Sequence, residues 1–135
     1  MTSNLAARTH LPIQSYYIEW GYLLTGETRS GVGLVKPRNP FSLKEGKRGW
    51  GAWELTGRYN FMDIGSQVFK NGLADPNLWA NRLFTTDIGF NWHINQYLKF
   101  YFDWQHAEFN QPVIYNANRR QLTSDLFLAR IQLFF

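Results

Sequence analysis

The chain contains no cysteine, which excludes disulfide scaffolds, thiolate metal sites and cysteine nucleophiles. It also lacks long apolar runs. Hydrophobic residues make up 44% of the 135 positions, yet no more than four follow one another, at Leu126 to Ala129. A transmembrane helix needs roughly 20 in succession, so helical membrane spans are excluded. Methionine is scarce at 2 residues, whereas 6 Trp, 7 Tyr and 11 Phe are present. Such an aromatic-rich mixture favours strands and is too hydrophobic for disorder. The length fits one domain.

Charge is unevenly placed. The net formal charge is +4. Between Thr25 and Gly49 lie Arg29, Lys36, Arg38, Lys44, Lys47 and Arg48, opposed by Glu27 and Glu45, so this stretch holds the whole excess. It can attract anions, whether phosphate, nucleic acid or lipid head groups, or it can be a solvated basic loop. Met1 to Ile13 has one Arg, no long apolar core and no small-residue cleavage site, and does not read as a signal peptide.

The dominant pattern is alternation of period two, in five runs. Tyr16, Ile18, Trp20, Tyr22 and Leu24 alternate with Tyr17, Glu19, Gly21 and Leu23. Trp53, Leu55, Gly57, Tyr59 and Phe61 oppose Glu54, Thr56, Arg58 and Asn60. Phe84, Ile88, Phe90 and Trp92 oppose Asp87, Gly89, Asn91 and His93. Leu98, Phe100, Phe102 and Trp104 oppose Lys99, Tyr101, Asp103 and Gln105. Phe127, Ala129, Ile131, Leu133 and Phe135 oppose Leu128, Arg130, Gln132 and Phe134. Successive side chains on a strand point to opposite faces, so each run carries an apolar face and a mostly polar one. The chain is all-β.

Asn95-Gln96 joins two runs at hairpin spacing. The gaps 25–49, 63–81 and 110–121 are long and hold Pro37, Pro40, Pro76, Pro112 and several glycines, which predicts loops. Short turns alternating with long loops, and runs near the roughly 9–11 residues that cross a bilayer, are the pattern of an outer-membrane barrel. Trp53, Trp92, Tyr97 and Phe135 are expected at one membrane interface, and Tyr59, Phe61, Phe84, Trp104 and Phe127 at the other.

The final residues, with Ile131, Leu133 and terminal Phe135 on one face, resemble the assembly signal of bacterial outer-membrane barrels. Leu24-Thr25-Gly26-Glu27, Val35-Lys36-Pro37, Pro40-Phe41, Gly51-Ala52-Trp53-Glu54-Leu55 with Arg58-Tyr59, and Gly89-Phe90-Asn91-Trp92 with Asn95 and Leu98-Lys99-Phe100 resemble the C-terminal portion of the phosphate-selective porin O and P family. The resemblance implies trimeric, sixteen-stranded channels that pass small anions such as phosphate or polyphosphate, with no cofactor and no nucleic-acid partner. It further implies outer-membrane lipid and the barrel-assembly machinery as partners. Residues 14–135 then form about five or six C-terminal strands of a larger barrel, after an irregular segment 1–13. An open five-stranded edge in lipid leaves unpaired backbone groups costing several kcal/mol each, so the chain reads as a C-terminal fragment or a truncated reading frame.

The inward face sets Glu19, Glu54, Asp87 and Asp103 beside Arg58, Lys99, Arg130 and the polar Asn91, and these are the expected pore-lining residues. Asp87, Lys99 and Asp103 share one face of a tight hairpin, which predicts an ion network among them. His10, His93 and His106 have no partner at metal-ligand spacing and read as isolated polar positions. No serine sits in a GxSxG motif and no phosphate-cradling glycine loop precedes a helix, so no enzyme activity is expected. The reading from a different class is a soluble or surface-exposed β-sheet binding module that uses the basic loop to hold an acidic partner.

Overall fold

A computed structural model describes residues 10–29 and 35–135. The alternating runs form five antiparallel strands: β1 (Ile13–Leu23), β2 (Ala52–Ile64), β3 (Arg82–His93), β4 (Leu98–Asn116) and β5 (Arg119–Leu133). They lie side by side in chain order, so the sheet is a simple meander. One short helix, α1 (Gln67–Lys70), lies between β2 and β3. The tight connection between β3 and β4 is fixed by Asn95, whose Oδ1 accepts the amides of Tyr97 at 2.7 Å and Leu98 at 2.9 Å. A side chain that bonds to amides ahead of it stabilises such a turn.

Two expectations need correction. The gap 110–121 is not a loop: β4 and β5 run on through it and turn only around Ala117-Asn118. Pro112 is accommodated because the register jumps from Glu108–Thr123 to Val113–Gln121, and the missing amide falls inside this bulge. The sixth strand, considered for 25–49, does not form among the described residues, where only an isolated Ser42–Gly49 bridge occurs. Of the irregular segment 1–13, residues 1–9 lie outside the described residues. Pro12 accepts the Gly65 amide at 2.9 Å just before β1 begins.

The sheet has one layer and no hydrophobic core. Val35 and Ala52 are the only buried hydrophobic residues among those described, whereas Ile18, Trp20, Ile88, Phe102, Phe127 and Ile131 are exposed. Patches of this kind on a protein in water mark interaction surfaces, and here they dominate one face, which also carries Thr86, His106 and Asp125.

Most aromatic residues of that face fall into two bands, with Phe90 and Phe102 paired between them. Trp53 stacks on Trp92 at 5.0 Å, and Trp92 on Phe100 at 5.9 Å. Toward the other end Tyr16 meets Phe61 at 4.8 Å and Phe61 meets Phe84 at 5.0 Å, while Trp104 meets Phe127 at 6.5 Å. The bands run obliquely to the rows of paired residues. The Phe127 row crosses β2 at Gly57, four residues from Phe61, and the Trp53 row crosses β5 at Ile131, four residues from Phe135. Four residues are about 13 Å, against three strand spacings of about 4.8 Å each. The lines from Phe61 to Phe127 and from Trp53 to Phe135 therefore slope by about 40° to the rows, in keeping with barrel strands tilted ≈ 35–45°.

Candidate channel-lining face

The opposite face is a concave trough of about 490 Å³ whose lining includes Glu19, Arg29, Glu54, Arg58, Asp87, Asn91, Asp103 and Arg130. Antiparallel registry arranges it in rows across the strands. Glu19, Arg58, Asp87 and Gln105 form one row, Gly21, Thr56, Gly89 and Asp103 the next, and Leu23, Glu54, Asn91, Tyr101 and Arg130 a third.

In the first row each charge has a partner, Arg58 and Glu19 one another and Asp87 the neutral Gln105. Arg58 Nε lies 3.3 Å from Glu19 Oε2, and Gln105 donates to Asp87 Oδ1 at 2.6 Å. The second row is hollow, because glycines stand on β1 and β3; the Asp103 carboxylate fills the space a Cβ at Gly89 would need.

The third row holds the most enclosed group, Glu54, which is 2% exposed. Its Oε2 accepts from Asn91 Nδ2 at 3.0 Å, lies 3.2 Å from His93 Nε2 and has Lys99 Nζ at 3.7 Å. Its Oε1 pairs with Arg29, a residue of the β1–β2 connection. Burying a carboxylate without such partners is very costly, so its position depends on them. The Oδ1 of Asn91 has no hydrogen-bond partner among the described residues. Lys99 therefore joins Glu54, and not the network with Asp87 and Asp103 that the hairpin spacing predicts.

Tyr101 lies between two cations. Lys99 Nζ is 4.0 Å and Arg130 Cζ 4.2 Å from its ring centre, and its hydroxyl donates to Gln132 Oε1 at 2.5 Å. Arg130 and Asp103 have no ion-pair partner among the described residues.

The histidines correct the expectation of isolated polar positions. His93 belongs to the Glu54 cluster, and His106 Nδ1 lies 2.8 Å from Asp125, beside Glu108. Their carboxylate partners are on other strands or two residues away, so metal-ligand spacing rules do not find them. Arg29 and Tyr101 also needed the structure: a loop cation and an aromatic residue carry no motif for these contacts.

The β1–β2 connection sits at the same end of the sheet as the β3–β4 turn and the C-terminus. It is fastened to the rim by Phe41 N to Ile94 O at 2.8 Å and Gly51 N to Asn39 O at 2.9 Å. Phe41 meets Trp92 edge-on at 5.2 Å, so this return limb reaches the aromatic band. Of the six basic residues expected to attract anions, Arg29 is taken by Glu54. Arg38 lies beside Glu27, which accepts its amide at 3.2 Å. Partial burial opposes ionisation of Glu27, but hydrogen bonds from Thr25 and the Arg38 amide, with the Arg38 charge, hold its carboxyl below the usual range. Lys36, Lys44, Lys47 and Arg48 are exposed.

A single sheet with an apolar, aromatic-banded face and a concave charged face is the wall of a membrane channel. The family model for phosphate-selective porin O and P matches residues 1–135, the whole chain, and the protein belongs to this family. It is therefore a porin of the bacterial outer membrane, in a family of channels rather than enzymes. Searches of curated proteins and of solved structures give no match.

Proposed function

We propose that this chain forms the C-terminal part of a passive, water-filled channel that conducts small anions such as phosphate or polyphosphate. The observation that carries the reading is Arg130: its guanidinium faces the trough, lies against Tyr101 and has no ion-pair partner among the described residues. An anion in transit is the partner such a group would take. Asp103 opposes it on the same wall, which makes this wall a weak filter, and the exposed cations of the β1–β2 connection add to the attraction.

β1 and β5 lie at the two edges and run in the same direction, so antiparallel closure needs an odd number of further strands. Residues 14–135 would then be the C-terminal strands of the sixteen-stranded barrel that the family resemblance implies, in a trimer surrounded by outer-membrane lipid. Ile131, Leu133 and Phe135 on the outward face would be read by the barrel-assembly machinery.

Reversal potentials across planar bilayers in a phosphate gradient test the reading. An anion-to-cation permeability ratio above one, reduced by Arg130→Gln, is the expected result. A cation-preferring channel would sink it.

A further inference from the structure

We infer that Glu54 is a positioning residue that clasps the outgoing limb of the β1–β2 connection to the channel wall through Arg29, and so sets how far that limb intrudes on the lumen. The inference rests on the channel reading above. Its basis is the division of labour at one carboxylate. Asn91, His93 and Lys99, all from the wall, gather at Oε2, whereas Oε1 has Arg29 from the connection.

The two limbs are held differently. The return limb has backbone bonds at the rim, from Phe41 to Ile94 and from Gly51 to Asn39. The outgoing limb starts with backbone support, Leu24 N to Trp53 O at 2.7 Å and Trp53 N to Thr25 Oγ1 at 3.1 Å. Beyond Thr25, Arg29–Glu54 is the one side-chain ion pair between this limb and the wall among the described residues. Glu54 is almost fully enclosed in a one-layer sheet, and Val35, eleven residues after Leu24, is 2% exposed in the same connection. Glu54 is enclosed and Arg29 is 47% exposed, so the pair is screened less than one between two surface groups and can hold the limb at this point. Loss of either partner should free the limb while the barrel stays closed by its strand ladder.

The experiment uses the complete channel and two readouts. In planar bilayers, Arg29→Gln and Glu54→Gln should each raise open-channel current noise severalfold, and the double variant should be no noisier than either single one. Ion preference should move in opposite directions, toward cations for Arg29→Gln and toward anions for Glu54→Gln, because one removes a positive charge and the other a negative one. Opposite shifts with wild-type noise would show that the pair acts only as fixed charge, and would overturn the clasp. Glu54→Gln leaves Lys99 beside His93 without their carboxylate and can fold poorly. Arg29→Gln keeps the wall donors on Glu54 and so decides alone.

The second readout does not depend on conduction. In a complete channel kept free of other cysteines, Val35→Cys provides a single thiol in the buried part of the connection. Its maleimide labelling in detergent micelles should speed up at least tenfold when Arg29→Gln is added. An unchanged rate overturns the clasp. Absence of any wild-type conductance would refute the channel reading instead, and the labelling rate would still decide the clasp.

Discussion

The guanidinium of Arg130 lies 4.2 Å from the centre of the Tyr101 ring, with Lys99 Nζ 4.0 Å from the same ring. A cation over an aromatic face gains about 0.5–1 kcal/mol at exposed sites. That is enough to favour one orientation of a long side chain without neutralising it. Arg58, by contrast, is neutralised by Glu19. Arg130→Gln should therefore lower the anion-to-cation permeability ratio more than Arg58→Gln does. Tyr101→Phe keeps the stack and should leave the ratio nearly unchanged, whereas Tyr101→Leu should give an intermediate loss. Reversal potentials at fixed salt gradient measure all four.

Gly57 is required by its neighbour. A Cβ there would meet the Trp20 indole at 2.6 Å, because the ring lies over the β2 backbone at the paired position. Gly57→Ala should cost about 1–3 kcal/mol, the usual range for overpacking. The double change Gly57→Ala with Trp20→Ala should be less damaging than the two single effects added together. Urea unfolding from lipid vesicles would show the coupling, and simple additivity would mean that the ring moves aside freely.

The sheet's two faces predict opposite tolerance to charge. Ile88 is outward and lies between the aromatic bands, with Trp104 as its paired residue. Ile88→Arg should cost about 2–4 kcal/mol if it sits near the bilayer midplane. Gln105→Arg should be tolerated, since the new cation would face Asp87 in the trough. Asn91→Arg, although at an expected pore-lining position, should be damaging because Asn91 is only 5% exposed beside Glu54. Folding efficiency into vesicles distinguishes the three.

Period two was enough to find the five strands and to sort residues onto the two faces of the sheet, because side-chain alternation is a property of each strand alone. It could not find the end of the β4–β5 hairpin. Pro112 reads as a strand breaker, and only the register jump from Glu108–Thr123 to Val113–Gln121 shows that no amide is needed there. The Glu54 cluster was hidden for a related reason. Glu54, Asn91, His93 and Lys99 come from three strands, and Arg29 from a loop, so their meeting depends on register and on loop path. Neither leaves a local sequence signature. Glu19 with Arg58 was visible only as two opposite charges on the same face.

The basic connection gives the last prediction. Sequence alone assigns six cations to anion attraction, but Arg29 is bound to Glu54 and Arg38 lies beside Glu27. Lys36, Lys44, Lys47 and Arg48 remain exposed, with Glu45 among them. Exposed charges act over roughly one Debye length, about 10 Å at 0.1 M and about 3 Å at 1 M salt. On the proposed reading they would raise the local anion concentration at the pore mouth without binding tightly. Replacing these four residues with Gln should thus lower anion conductance severalfold at about 0.01 M salt, where the Debye length is about 30 Å, and have little effect at 1 M. Arg130→Gln should persist further into high salt, because its effect is exerted by contact with the ion and not at a distance. Conductance measured over a salt series separates the two. Equal salt dependence would mean that the connection and the wall act on the ion in the same way.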